Sequence, residues 1–130
     1  MKKILLTTII CALLGCTSMP AIAGKCEGGT EFQGTVNGHT YCRGHNTITW
    51  WAAVMWCKKQ GRELATLDQA CANWSNTSGE SSCPNMKLGG GQGGHWLMSP
   101  HSSHESYVLN LNAGSVAAHA RNNHFFTLCY

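Results

Sequence analysis

The chain has 130 residues, which is enough for one domain and too few for two, and only 12% of them are charged. Nine basic residues stand against six acidic ones, and no stretch gathers the basic residues into a stripe. This composition excludes nucleic acid as an expected partner.

The first 23 residues have the pattern of a secretion signal. Two lysines precede an apolar run from Ile4 to Leu14, and residues 21–23 form the small-x-small pattern that signal peptidase cleaves. We therefore expect a signal peptide over 1–23 and a single mature domain over 24–130, secreted or lying in the periplasm or at the surface of a bacterium. The apolar run is too short to anchor the chain across a bilayer, so no transmembrane segment is expected.

A second interpretation of the same segment is a lipoprotein signal. Leu13-Leu14-Gly15-Cys16 has the form of a lipobox, in which the cysteine is lipidated and becomes the new terminus. Cleavage after Ala23 is favoured, because the second leucine occupies a position where a smaller residue is more usual. A lipid anchor at Cys16 remains the alternative.

Six cysteines lie in the mature domain: Cys26, Cys42, Cys57, Cys71, Cys83 and Cys129. An even number in an exported chain predicts three disulfides, although six cysteines allow fifteen connectivities. No two of them form a Cys-x-x-Cys pair, which argues against a metal cluster.

The mature chain opens with a predicted β-hairpin. Asn37-Gly38 is a strong signal for a type I′ turn, and we assign the hairpin to residues 35–41. Cys26 and Cys42 are placed to tie its base.

The clearest predicted helix runs from Ile48 to Gln60. Its apolar residues recur at three- and four-residue spacing and line one face: Trp50, Ala53, Val54, Cys57 and, past the end, Leu64. Asn46 or Thr47 can cap the start, and Gly61 supplies the left-handed stop.

A shorter helix is predicted from Leu67 to Trp74. It follows a Thr-x-x-Gln capping box formed by Thr66 and Gln69, and it carries Cys71. A polar, Gly-rich loop comes next, and we expect Cys71 and Cys83 to bridge each other across it.

Short apolar and alternating runs in the last third of the chain predict four strands: His95–Ser99, Ser106–Leu111, Ser115–Ala120 and Phe125–Cys129. In the second of them Tyr107, Leu109 and Leu111 alternate onto one face. Helices first and strands afterwards predict an α+β fold, with two helices, a small antiparallel sheet and a long Gly/His-rich loop, held by disulfides.

Two stretches resemble C-type lectin-like domains. The first-helix signature of that family is matched in type and spacing at Trp50, Ala53, Cys57, Gly61, Leu64, Ala65 and Leu67. The closing stretch is similar to the final strand of the family at Phe126, Leu128 and Cys129. The resemblance implies the C-type lectin-like fold, and it covers about half of the mature chain.

The resemblance also implies a disulfide pairing. In the family the cysteine of the first helix pairs with the cysteine of the last strand, which here are Cys57 and Cys129. In the longer members a further bridge closes an N-terminal hairpin, which here implies Cys26 with Cys42.

The calcium and sugar motifs of the family are missing. Sugar-binding members hold calcium with a Glu-Pro-Asn or Gln-Pro-Asp loop and a Trp-Asn-Asp strand, whereas the nearest counterpart here is Cys83-Pro84-Asn85 and no Trp-Asn-Asp occurs. Asp68 is the only aspartate, and calcium needs six to eight oxygen ligands. We expect no calcium and no other cofactor.

The resemblance places the binding surface in the segment from Ser75 to Glu105. From it we take as candidate ligand-binding residues Gln92, His95, Trp96, His101 and His104. Loops on a rigid scaffold often carry function. Trp96 also lies within an apolar strand pattern, which favours a core position.

The histidines of the last third raise the question of a zinc site. His101 and His104 are three residues apart and would share one face of a helix, but Ser-Pro-His-Ser-Ser-His indicates a loop. No Cys-His template accompanies them, so ordinary surface histidines are favoured and no metal site is expected.

An enzyme is not expected. The chain has no Gly-x-Ser-x-Gly elbow, its glutamates are scattered, and its mature cysteines are expected to be oxidised. We expect an exported, calcium-independent, adhesin-like binding domain for a protein or glycan ligand. The alternatives are a structural or assembly subunit of a bacterial surface appendage and, less favoured, a small secreted hydrolase.

Overall fold

The structure is a computed structural model that describes residues 26–33, 39–71 and 93–130. This part of the chain contains six strands and two helices: β1 Gly29–Gln33, β2 Thr40–Gly44, α1 Trp50–Lys59, α2 Leu67–Ala70, β3 Gly94–Pro100, β4 Glu105–Asn110, β5 Ser115–Ala120 and β6 Phe126–Cys129. Some sequence-based expectations concern residues outside it: the signal peptide at 1–23, the lipid anchor at Cys16, the turn at Asn37-Gly38, the Gly-rich loop with Cys83, and Gln92.

The strands form one sheet in the order β1-β2-β6-β3-β4-β5. Neighbours run antiparallel except β3 and β6, which are parallel. The last strand of the chain therefore lies inside the sheet. There Cys129 stands opposite Cys42 of β2, and Phe126 stands opposite His95 of β3.

The expected α+β class, with two helices and a small antiparallel sheet, is wrong. Strand outweighs helix among the described residues, since there are six strands whereas α1 has ten residues and α2 only four. The sheet is larger than expected because β2 pairs with β6, which joins the N-terminal hairpin to the rest. It is mixed because β6 runs parallel to β3. Both pairings join strands far apart in the sequence, which local patterns do not specify.

Helix α1 begins two residues later than its apolar pattern predicts. Ile48 pairs with Phe125: the N–H of Ile48 donates to the carbonyl oxygen of Phe125 at 2.9 Å, and the N–H of Phe125 donates back at 3.1 Å. The N-cap residue is therefore Thr49 instead of Asn46 or Thr47, and its side chain makes no capping hydrogen bond. A strand-like contact, rather than a local cap, sets the start of α1.

The predicted end and buried face of α1 are confirmed. Gly61 follows the helix with φ of +70°, the left-handed conformation that glycine adopts most readily. Ala53 and Cys57 are fully buried, and Trp50 and Val54 pack partly buried against the same cluster. The three- and four-residue spacing thus identified the face that contacts the sheet.

The capping box at the start of α2 is confirmed. The N–H of Gln69 donates to Thr66 Oγ1 at 3.2 Å, and the N–H of Thr66 donates to Gln69 Oε1 at 2.9 Å. The helix is shorter than the predicted run to Trp74. It ends at Ala70, because the next residue, Cys71, has φ of −143°.

Apolar side chains cover both faces of the sheet. The cluster on the face that carries α2 contains Tyr41, Ala65, Leu67, Ala70, Cys71, Leu97, Leu109, Leu111, Val116 and Leu128, with Tyr107 packed against it. The cluster on the face that carries α1 contains Cys42, Ala53, Cys57, Leu64, Trp96, Val108 and Cys129. Successive strand residues point to opposite faces, so Trp96 and Leu97 lie in different clusters. The predicted shared face of Tyr107, Leu109 and Leu111 is confirmed.

Two disulfides join the described cysteines. Cys57 of α1 is bonded to Cys129 of β6, and Cys26 is bonded to Cys42 of β2, each with a Cα–Cα distance of 5.5 Å. Cys71 is also disulfide-bonded. Its expected partner lies outside the described residues.

A buried arginine, unnoticed in the sequence, ties the two ends of the domain together. Arg62 is only 8% exposed, and its Nη1 donates to the carbonyl oxygens of Thr40 at 2.8 Å and Tyr130 at 3.2 Å. Its Nη2 lies 3.8 Å from a carboxylate oxygen of Glu31. The segment after α1 is thereby fastened to β1, β2 and the C-terminal residue.

Removal of the two described disulfides is expected to destabilise the domain unequally. By loop-closure entropy, Cys57→Ala/Cys129→Ala, whose cysteines are 72 residues apart, costs about 4 kcal/mol. Cys26→Ala/Cys42→Ala, with a separation of 16, costs about 3 kcal/mol. Urea unfolding of the mature domain measures both losses. A smaller loss for the Cys57/Cys129 variant than for the Cys26/Cys42 variant contradicts the prediction.

Candidate ligand-binding surface

An apolar pair lies exposed on α1. Trp51 is 54% exposed and Met55 is 64% exposed, and they are the large apolar side chains that lie open among the described residues. Four residues apart on a helix, they are neighbours on one face. The Trp51 ring also meets the ring of Trp50 edge to face, with centroids 6.1 Å apart. Contiguous exposed apolar side chains on a rigid element are typical of an interaction surface.

Arg121 joins this helix to the turn between β3 and β4. Its guanidinium lies 4.4 Å from the centre of the Trp50 ring, and its Nε donates to Ser106 Oγ at 2.8 Å. Its Nη atoms reach the carbonyl oxygens of Ser102 at 3.5 Å and Ser103 at 3.4 Å. Arg121 therefore holds the turn beside the first residues of α1.

The backbone of Arg121 reinforces the same connection. Its N–H donates to the carbonyl oxygen of His104 at 3.0 Å, and its carbonyl oxygen accepts from the N–H of Trp50 at 3.1 Å. Trp51 meets Trp50, on which Arg121 is stacked, so the exposed pair adjoins the turn through Trp50. We call the area made by Trp51, Met55, Arg121 and residues 101–104 the Trp51 surface.

The turn itself is held by polar side chains. Ser102 Oγ accepts from the N–H groups of His104 at 3.3 Å and Glu105 at 3.2 Å. The same hydroxyl lies 3.3 Å from Glu105 Oε1, to which it can donate. His101 Nδ1 lies 3.5 Å from that carboxylate oxygen, and the His101 ring meets Tyr107 edge-on at 5.3 Å. The exposed turn therefore presents hydroxyl, imidazole and carboxylate groups from an ordered backbone.

This order of groups does not make a catalytic triad. A serine nucleophile needs an imidazole beside its hydroxyl and a carboxylate behind the imidazole. Here Glu105 contacts both Ser102 and His101, so the carboxylate occupies the central position. In the part of the chain that the structure describes, no group of three or more His, Cys, Asp or Glu side chains is arranged to hold a metal ion.

His95 lies in the interior, on the face of β3 opposite α1. Arg43 Nε donates to His95 Nε2 at 2.8 Å, so the ring proton resides on Nδ1, which donates to the carbonyl oxygen of Gly93 at 3.0 Å. The ring stacks on Phe126 at 5.3 Å. Burial, followed by the Arg43 charge, lowers the pKa of His95 to about 3. His95 is therefore neutral at physiological pH and has both ring nitrogens engaged.

Trp96 is fully buried on the other face of β3. Its indole N–H donates to the carbonyl oxygen of Ile48 at 2.8 Å, and its ring meets Phe125 edge-on at 5.0 Å. The side chain supports the contact that sets the start of α1. Its core position follows the apolar strand pattern.

The structure separates the candidate ligand-binding residues. His101 and His104 lie exposed together in the turn, whereas His95 and Trp96 are fully buried on opposite faces of β3. Gln92 lies outside the described residues. Of these four described candidate residues, only His101 and His104 can be reached by a ligand at the surface.

Sequence reasoning missed the remaining residues of the Trp51 surface. The helical spacing that assigns Trp50 and Ala53 to the core leaves Trp51 and Met55 on the outer face, so the signal for this pair was present. Arg121 had no comparable signal, because its partners come from two other segments, the start of α1 and residues 102–106. No protein-family model and no curated protein matches this chain.

The buried His95 is expected to make stability pH-dependent. Its pKa is about 3 in the folded state against an ordinary value of 6.5, so the unfolded chain takes up a proton first as the pH falls. The contribution of neutral His95 to the free energy of unfolding is fully present above pH 6.5. It is lost on acidification towards pH 3, by at most about 1.4 kcal/mol per pH unit.

Urea unfolding of wild type and His95→Gln across this pH range checks the prediction. Glutamine is neutral throughout, so the variant should lose less stability on acidification than wild type. His124→Gln, at an exposed position, is the matched control and should keep the wild-type slope. Equal slopes for His95→Gln and wild type contradict the assignment.

Proposed function

We propose that this chain is an exported binding domain that recognises its ligand without calcium, through the Trp51 surface. The observation that carries the proposal is the exposed pair Trp51 and Met55, at 54% and 64% exposure, with Trp51 against the Trp50 ring on which Arg121 is stacked. Tryptophan and arginine are the side chains most enriched where binding energy concentrates. The partner is a protein or a glycan.

The rigidity of the scaffold supports a binding role. Helix α1 is bonded to β6 by Cys57–Cys129, and its first turn is held by the backbone of Arg121. A surface that is already ordered loses little conformational entropy when a ligand docks. Trp51 has only two rotatable side-chain bonds, which keeps that cost low.

Calcium-independence rests on the distribution of oxygen ligands. The described acidic side chains are spread over the domain: Glu27, Glu31, Glu63, Asp68 and Glu105. Calcium requires six to eight oxygens, with several carboxylates among them. Glu105, the one acidic residue adjoining the turn, is already engaged by His101 and Ser102.

Export is supported by two features of the chain. The first 23 residues have the pattern of a signal peptide, and the disulfides are compatible with an oxidising compartment. Neither described helix is long and apolar enough to cross a membrane.

We also propose that the chain is related to the C-type lectin-like domains. Support comes from the matched positions: Ala53, Leu64, Ala65 and Leu67 are all buried, and Cys57 is bonded to Cys129 as the resemblance implies. The relation would explain why a chain without the calcium motifs keeps the first-helix signature. The buried signature residues pack α1 and the segment after it onto the sheet.

The second candidate function is an assembly subunit. It is favoured by β5, which ends the sheet and pairs with β4 alone among the described strands. An edge strand presents unpaired backbone groups to which a strand of another chain can add. In that case the purified mature domain should self-associate, which light scattering detects.

Replacement of Trp51 by alanine is expected to weaken ligand binding at least about tenfold, because loss of a tryptophan at the centre of an interface costs roughly 2 kcal/mol or more. Stability should change by less than about 0.5 kcal/mol, since the ring is largely exposed. A glycan array probed with wild type and Trp51→Ala, with and without EDTA, measures the loss.

Lys59→Ala, an exposed change at the other end of the same helix, is the matched control and should bind as wild type does. Binding that disappears with EDTA, or that survives Trp51→Ala unchanged, contradicts the proposal. A silent array together with self-association of the domain supports the assembly subunit instead.

A further inference from the structure

A small cleft lies under the second half of α1, at the end of the β2–β6 pairing. Its volume is about 60 Å³, and its walls include Gly44, His45, Asn46, Ile48, Trp56 and Thr127. Sites for whole small molecules are several times larger, at roughly 300 Å³ or more. The cleft therefore fits one functional group of a ligand.

The wall of the cleft carries a buried hydroxyl without a partner. Thr127 is fully buried, and its Oγ1 has no hydrogen-bond partner. Only one other described side-chain atom, Arg62 Nε, shares this condition, and the rest of that guanidinium is engaged. Buried polar groups are nearly always paired, and an unpaired one lowers stability. The Thr127 hydroxyl is thus an unpaired donor in the wall of the cleft, and a group that pairs with it must displace the side chains that cover it.

Gly44 keeps the cleft open. A Cβ at this position would lie 3.3 Å from Thr127 Cβ and 3.5 Å from Cη2 and Cζ3 of Trp56. Gly44 does not adopt a positive φ, so its backbone does not require glycine. The lack of a side chain at Gly44 leaves the Thr127 side chain and the edge of the Trp56 ring facing a common space.

The lining limits the chemistry of the occupant. No wall residue among those described is lysine or arginine, so an anionic group would find no fixed cation. A purely apolar group would leave the Thr127 hydroxyl unpaired, and a lone hydroxyl would make no use of the Trp56 ring or Ile48. A neutral group that combines a carbonyl acceptor with a methyl satisfies both parts of the wall. The acetamido group has this composition.

The residues at the mouth of the cleft indicate what kind of molecule bears the acetamido group. His45 and Asn46 are exposed and polar at the mouth of the cleft, and His45 is positioned by a hydrogen bond between its Nε2 and Thr30 Oγ1. Uncharged polar side chains suit the hydroxyl groups of a neutral sugar. We propose that this cleft is a binding site for the acetamido group of a neutral N-acetylated sugar, separate from the Trp51 surface and independent of its function.

In this site the carbonyl oxygen of the acetamido group accepts from the Thr127 hydroxyl, and its methyl packs against the Trp56 ring. The sugar ring stays outside, against His45 and Asn46. Thr127 is then kept unpaired in the free protein at a cost in stability that ligand binding offsets.

The test is an NMR titration of the mature, oxidised domain with N-acetylglucosamine. Glucose, which has a hydroxyl in place of the acetamido group, is the matched probe, and N-acetylalanine methylamide offers the same group on a peptide. The expected result is saturable shifts of the Trp56 indole and Thr127 amide resonances with N-acetylglucosamine and none with glucose. The spectrum of Trp56→Phe identifies the indole signal.

Three variants separate binding from folding. Thr127→Val keeps the shape and removes the donor, so it should weaken binding about tenfold or more while unfolding at a higher urea concentration than wild type. Gly44→Ala fills the space and should also weaken binding. Thr127→Ser keeps the hydroxyl and should bind within about threefold of wild type. Asn112→Ala, exposed in the turn between β4 and β5 and absent from the cleft wall, is the matched control and should bind the sugar as wild type does.

Several results overturn the assignment. One is the absence of any shift with N-acetylglucosamine, and another is an equal response to glucose. Binding of the peptide amide without the sugar, or unchanged binding by Thr127→Val, also contradicts it. So does a crystal structure at saturating sugar in which only a water molecule contacts the Thr127 hydroxyl.

Discussion

Strand β6 lies between β2 and β3, antiparallel to one and parallel to the other, and the chain cannot complete its sheet until this last segment is in place. Cys129 at the end of β6 is bonded to Cys57, so the same insertion fixes α1 against the sheet. Arg62 then binds the carbonyl oxygen of Tyr130 beyond β6. The two halves of the sheet, one from each end of the domain, depend on this single strand.

Both candidate binding regions derive from that insertion. Thr127 belongs to β6 itself, and it lines the same cleft as Trp56 because the disulfide holds α1 across the strand. At the other end of α1, Phe125 leads into β6 and pairs with Ile48, which brings the helix start beside Arg121. The contacts between the end of the chain and α1 therefore position the Trp51 surface near the start of the helix and the cleft near its end.

The sequence predicted what depends on near neighbours. The buried face of α1, the Gly61 stop, the capping box at Thr66 and the strand over 115–120 all follow from spacing within a few residues. It did not predict the mixed sheet, since the parallel pairing of β3 and β6 joins segments that carry no local mark of each other. The late start of α1 has the same origin, because Ile48 is taken into a pairing with Phe125.

The candidate binding residues show the same limit of local patterns. They differ in whether a buried polar group has a hydrogen-bond partner. His95 was a candidate because it lies in the segment where the resemblance places the binding surface, but its two ring nitrogens are engaged by Arg43 and Gly93. Thr127 attracted no notice in an apolar strand, yet its hydroxyl is buried without a partner. A pattern of residue types cannot separate these cases, because the difference lies in contacts with other strands. A buried polar group that the fold has satisfied argues for stability, and one left open beside a cleft argues for a ligand.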